Sequence, residues 1–137
     1  MIKVTLDTNV LISGTFWTGD SFRIMELIDK KVVGCVLSKE ILEEYNRILH
    51  SDEIIEKVKD KELIVSKVIQ RVISDSMIVE PKTKVNIVED ADDNKFIEAA
   101  LEGGSDYLIS QDKHLLKLKC FKGIKIITPG QFLSLLF

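Results

Sequence analysis

The feature that most constrains this chain is a recurrence of short apolar runs, rich in β-branched residues, with helical patterns between them. The runs occupy Ile2–Leu6, Val32–Leu37, Met77–Val79, Tyr107–Ile109 and Lys125–Ile127. A run of this length, apolar on both faces, reads as a strand of a parallel sheet, and parallel neighbours need crossovers that helices supply. Helical periodicity falls at Ser21–Lys30, Lys39–Leu49, Asp52–Ser74 with a break near Asp60-Lys61-Glu62, Asp92–Glu102 and Gln131–Phe137. The expected fold is α/β, with a central parallel sheet flanked by helices. The loose connection is Glu80 to Glu89, which contains Pro81.

At 137 residues the chain is expected to form one domain spanning 1–137. A formal net charge of -3 excludes a generally basic nucleic-acid binder, so a polyanionic partner must meet a local basic patch or bound metal. The patch available is Lys113, Lys117, Lys119, Lys122 and Lys125. No apolar run approaches the roughly 18 residues of a membrane span, and the N-terminus reads as a strand rather than a signal peptide, so a cytoplasmic protein is expected. Cys35 and Cys120 stand far apart without a Cys-x-x-Cys partner and read as buried thiols. In Asp52–Ser74 the apolar positions Ile54, Ile55, Val58, Val65, Val68, Ile69 and Val72 read mostly as core.

Open parallel sheets bind ligands beyond the carboxyl ends of their strands, so acids placed there carry the most information. Asp7 directly follows the first run and Asp112 closely follows the fourth; either alone would serve as an ordinary helix cap. In Lys39–Leu49 the apolar face is Ile41, Leu42, Tyr45, Ile48 and Leu49, and Glu44 lies roughly 100° from its centre, nearer than Glu43 or Glu40. In the helix from Asp92, Phe96, Ile97 and Ala100 face inward and Asp93 projects near the middle of that face. Asp90 and Asp92 read as a cap and a first-turn acid, their spacing leaving open a share in the role of Asp93.

The helix dipole favours an inward carboxylate by only about 0.3–1 kcal/mol, less than an unpaired buried charge costs, so a cation is the economical partner. Oxygen-only ligands suit magnesium or manganese, and paired cations can stabilise the attacking and leaving oxygens of phosphodiester displacement. Other chemistries lack their parts. There is no P-loop, no Gly-x-Ser-x-Gly elbow and no histidine cluster, His50 and His114 being distant in sequence. Asp7-Thr8-Asn9 does not supply the acid pair that a phosphoacceptor receiver wants or the Asp-x-Asp of a haloacid-dehalogenase-type phosphatase.

These four positions resemble the motifs of the PIN-domain family, particularly its small prokaryotic branch that includes VapC-like toxin ribonucleases. Val4-Thr5-Leu6-Asp7-Thr8-Asn9 resembles the family opening and Leu37-Ser38-Lys39-Glu40-Ile41-Leu42-Glu43-Glu44-Tyr45 its second motif. Asp90-Ala91-Asp92-Asp93-Asn94 resembles the third, Asp106 to Leu116 the fourth, and Ile126 to Leu133 the closing segment. The resemblance implies a three-layer α/β sandwich and magnesium- or manganese-dependent cleavage of RNA. It implies metal binding by Asp7, Glu44, Asp93 and Asp112, with Thr8, Asn9 and Ser110 orienting carboxylates or water. It also implies frequent homodimers and a possible antitoxin partner, for which part of Asp52–Ser74 could serve as interface. The alternative is a catalytically silent PIN-like subunit that binds RNA or serves assembly.

Overall fold

The computed structural model describes residues 1–56 and 61–137, with backbone alone at 55 and 61–64. Its strands are β1 (Lys3–Leu6), β2 (Gly34–Ser38), β3 (Ser76–Val79), β4 (Tyr107–Ile109), β5 (Cys120–Phe121) and β6 (Ile124–Ile127). They form one sheet in the order β3-β2-β1-β4-β6-β5, parallel except for the last pair. The expected strands are all present within two residues of their expected bounds. The short edge strand β5 is an addition. It pairs antiparallel with β6 through a two-residue turn at Lys122 and Gly123, whose φ values of 47° and 84° match the tight turn that twisted hairpins prefer.

Helices flank the sheet, giving the expected three layers. They are α1 (Thr8–Phe16), α2 (Asp20–Asp29), α3 (Lys39–Leu49), α4 (Asp52–Ile55), α5 (Lys61–Asp75), α6 (Asn94–Gly103), α7 (Lys113–Leu116) and α8 (Pro129–Leu136), with a 3-10 turn at Ala91–Asp93. The short turn expected after Asp7 is a full helix, α1. Val58 and the break at Asp60 lie outside the described residues, as does the side chain of Ile55. Of the other core assignments there, Ile54, Val65 and Val72 are buried.

The core is continuous through the sheet. Val4 and Leu6 of β1, Val36 and Leu37 of β2 and Leu108 and Ile109 of β4 are at most 1% exposed, as are Ile41, Tyr45 and Leu49 of α3. Each such side chain contributes about 1.5–3 kcal/mol through burial. The Tyr45 hydroxyl meets Thr15 Oγ1 at 2.6 Å, tying α3 to α1. Helix α6 crosses the sheet in contact with β1 to β4. Its close seating needs Gly103, where an added Cβ would stand 2.1 Å from a Val36 methyl. Cys35 is buried as expected, but Cys120 is exposed because β5 is an edge.

The segment between β3 and the 3-10 turn is fastened to α6 rather than loose. Glu102 Oε1 accepts from the Lys82 N–H at 2.8 Å and Glu98 Oε2 from Val85 N–H at 2.9 Å. Asn94 Oδ1 accepts from both Ile87 and Val88 N–H at 3.1 Å. Spaced four apart, these three side chains lie along one helix face and satisfy main-chain donors that have no strand partner.

Candidate active site

The strand order places β2 and β3 on one side of β1 and β4 on the other, so a topological switch lies between β1 and β4. Crevices at such switches are where open α/β sheets bind ligands. The residues leaving these two strands are Asp7 and Ser110. Asp7 is 3% exposed; its Oδ1 accepts from Val10 N–H at 2.8 Å, capping α1, and its Oδ2 accepts from the Ser110 hydroxyl. Ser110 Oγ in turn accepts from Asp112 N–H at 2.9 Å, and Asp112 Oδ1 caps α7 by accepting from His114 N–H at 2.8 Å. Both acids are therefore helix caps, yet each is also fixed against the other through Ser110.

Asp93 differs from them. It stands at the N-terminal boundary of α6, but its side chain caps nothing, while Asp90 caps the 3-10 turn by accepting from Asp92 N–H. Asp93 Oδ2 is buried without a hydrogen-bond partner and the carboxylate lies against Asp112. Burial, the contact with Asp112 and the charges of Asp112, Asp90 and Asp7 push its pKa up to about 7. Asp7 is pushed up to about 6, chiefly by burial and also by the charges of Asp112 and Glu44, against the lowering effect of its two hydrogen bonds. Three aspartates thus gather at the switch point and resist holding their charges together.

Glu44 is half-buried, as the helical wheel expects, whereas Glu40 and Glu43 are exposed. Its charge reaches Asp7, but Lys95 Nζ donates to its Oε2 at 2.5 Å and Arg47 stands 3.9 Å away. Burial would raise the Glu44 pKa, but the Lys95 bond, Thr8, and the charges of Lys95 and Arg47 together hold it below the usual range. Among the described residues no group of three or more His, Cys, Asp or Glu side chains stands close enough together to hold a metal ion as the side chains are placed. Lys95 is the residue that sequence reasoning missed. Its side chain, 11% exposed, reaches across 51 positions from α6 to α3.

Of the supporting residues expected, Ser110 bridges Asp7 and Asp112, Thr8 is buried, and Asn9 is exposed with its side chain bonded to none of the acids. His114 approaches Glu89 at 3.3 Å. Beyond Asp112, Lys113, Lys117, Lys119, Lys122 and Lys125 are all exposed.

The donor set suits a hard divalent cation. Among the described residues Asp93 Oδ2 is buried without a partner, whereas the buried Thr8 hydroxyl is engaged with Glu44. Buried polar groups are ordinarily satisfied, so an unpartnered oxygen among crowded carboxylates is compatible in its chemistry with a divalent cation.

A family model described as PIN domain matches residues 3–114. An uncharacterized protein of Methanocaldococcus jannaschii, MJ1680, is 33% identical over 142 residues, covering 97% of this chain and 90% of the relative. Among solved structures, PAE2754 from Pyrobaculum aerophilum superposes with a TM-score of 0.64 at 17% identity, covering 98% of this chain and 90% of that one. VapBC2 from Rickettsia felis, solved bound to a DNA fragment from its promoter, gives 0.59 at 15% identity, covering 91% and 97% respectively. At such identities the two structures speak to the fold. No helix among the described residues is long and apolar enough to cross a membrane.

Proposed function

The chain belongs to the PIN-domain family, whose members are generally nucleases, and from that membership we propose that it is a magnesium- or manganese-dependent endoribonuclease. The observation that carries the proposal is the pairing of an orphaned Asp93 oxygen with two further aspartates at the β1/β4 switch point. Asp7, Asp93 and Asp112 would hold the cations, with Glu44 as the fourth ligand. A bound divalent cation supplies Lewis acidity to a phosphodiester and eases deprotonation of an attacking water.

The chain's own residues prepare that chemistry. Ser110 donates to Asp7 and accepts from Asp112 N–H, fixing two carboxylates on separate strand ends in one orientation. Rigid placement of this kind lowers the reorganisation left for the transition state. The exposed lysines that begin at Lys113 offer phosphate contacts beside the acids, which a chain of net charge -3 must supply locally. Such contacts position the backbone of RNA without selecting its sequence.

By analogy with the VapBC2 neighbour, we assign the protein to the cytoplasm as the toxin of a toxin–antitoxin pair, acting as a homodimer. The exposed Phe22, Leu135 and Phe137 offer apolar surface for such assembly. The test is incubation of purified protein with mixed RNA and single-stranded DNA, with manganese and with chelator, beside Asp93→Asn. Manganese-dependent RNA cleavage lost in Asp93→Asn is expected. RNA binding without cleavage would instead support the silent-subunit reading.

A further inference from the structure

Lys95 and Glu44 form an ion pair unlike the others on this molecule. The partners are 11% and 20% exposed, against 74% for the Arg47 that also approaches Glu44. The Lys95 Nζ lies over the Phe96 ring, 5.1 Å from its centroid. Its one hydrogen bond among the described residues is the 2.5 Å contact to Glu44 Oε2. Lys95 also stands two positions past Asp93, so one turn of chain delivers an acid to the aspartate cluster and a cation to Glu44. An ammonium seated this closely occupies Oε2 and, by its positive charge, disfavours a divalent cation approaching the remaining Oε1.

We propose that Lys95 is a resident counter-ion that withholds Glu44 from the cation site. The free protein then presents Asp7, Asp93 and Asp112, and Glu44 joins them only when the ammonium is displaced. This rests on the reading of these acids as cation ligands. Its consequence is a coupling: a phosphate group that accepts the released ammonium favours the form in which Glu44 is free, so polyanion and divalent cation bind with positive cooperativity.

The experiment is calorimetric titration of manganese into the RNA-free protein, for wild type, Lys95→Met, Glu44→Gln, the double variant and Asp93→Asn. Methionine keeps an unbranched stem and removes the charge; Lys95→Gln stands in if Lys95→Met fails to fold. Lys95→Met is expected to bind manganese about tenfold more tightly than wild type, the scale of a close charge pair. In the Glu44→Gln background the same change should have almost no effect, because there is no carboxylate left to release. Equal or weaker binding by Lys95→Met overturns the proposal, as does an undiminished gain in the Glu44→Gln background, which would mark a general field effect. If wild type binds manganese, Asp93→Asn does not, and Lys95→Met is unchanged, the metal site stands and the role of Lys95 falls. If none of the proteins binds manganese, both fall together.

Discussion

Replacing Asp93 by asparagine should stabilise the metal-free protein at pH 8, and do so progressively less as the pH falls toward 4. Asp93 holds its pKa near 7 against an ordinary 3.8, through burial and the carboxylates of Asp112, Asp90 and Asp7. A native pKa raised above the unfolded one means that the folded state binds more protons between pH ~4 and ~7, so stability is full below that window and falls as pH rises through it. A gap of that width between the native and unfolded values corresponds to about 4 kcal/mol. Asp93 is partly exposed, so solvent screening reduces this to about 1–2 kcal/mol. For a chain of this size that is a melting-point gain of roughly 3–8 °C. Asparagine keeps the volume and presents an N–H₂ that can donate to the Asp112 carboxylate, replacing repulsion by a hydrogen bond. The assay is thermal melting of wild type and Asp93→Asn in chelator at pH 5, 6.5 and 8 at constant ionic strength, because salt screens the same repulsion. Wild type should melt progressively lower across the series and the variant much less so. An Asp93→Asn protein that melts below wild type at pH 8, or differs from it equally at all three values, would refute the reasoning and return Asp93 to an ordinary structural role.

Three further outcomes follow from the same geometry. Manganese at a hundredfold excess over its dissociation constant should stabilise wild type by about 2.7 kcal/mol, seen as a raised melting temperature that Asp93→Asn largely lacks. Glu44→Gln should depress RNA cleavage far more than Glu43→Gln or Glu40→Gln, since those two point to solvent; identical rates for the three would remove Glu44 from the site. Asn94→Ala should leave the Ile87 and Val88 N–H groups unpaired at a cost of about 1–3 kcal/mol, and amide exchange there should accelerate while β1 stays protected; unchanged exchange would sink the idea that Asn94 holds the segment.

What was legible in the sequence divides along the range of the interactions. The central strands could be read because buried strands are rich in apolar and β-branched residues: β2 and β4 are mostly apolar, and β1, despite Lys3 and Thr5, carries Val4 and Leu6 into the core. The placement of Asp7 and Asp112 followed from their position just past those strands. Glu44 and Asp93 followed from the 3.6-residue period, which tells an inward-facing acid from its neighbours within one helix. Capping does not exhaust these acids, since Asp7 and Asp112 use one oxygen each as caps. Lys95 was not legible because its partner lies on another helix, and a lysine after two aspartates reads as solvated. β5 escaped notice because two residues carry no periodicity, and with it went the exposure of Cys120. The polar stripe Asn94, Glu98 and Glu102 gave no signal of its role, because its acceptors are met by main-chain donors of another segment, and Asn94 and Glu98 are only 6% exposed.

That stripe has a consequence for how the chain tolerates change. The segment from Lys82 to Val88 is gripped through its main-chain N–H groups, with Lys84 beside Glu98 and Glu40 and Val88 buried in the core, so replacing the exposed side chains at 82, 83, 86 and 87 leaves the grip intact. Proline is the exception: at 82, 85, 87 or 88 it removes the hydrogen that Glu102, Glu98 or Asn94 receives, whereas the existing Pro81 sits just outside the gripped stretch. Length is constrained where identity is not. The acceptors are rungs of fixed spacing on a rigid helix, so a deleted residue cannot be absorbed by sliding and must be drawn from the short stretch that leads through Glu89 and Asp90 to Asp93. A single-residue deletion there would therefore act at a distance, tilting an acid of the cluster it never touches.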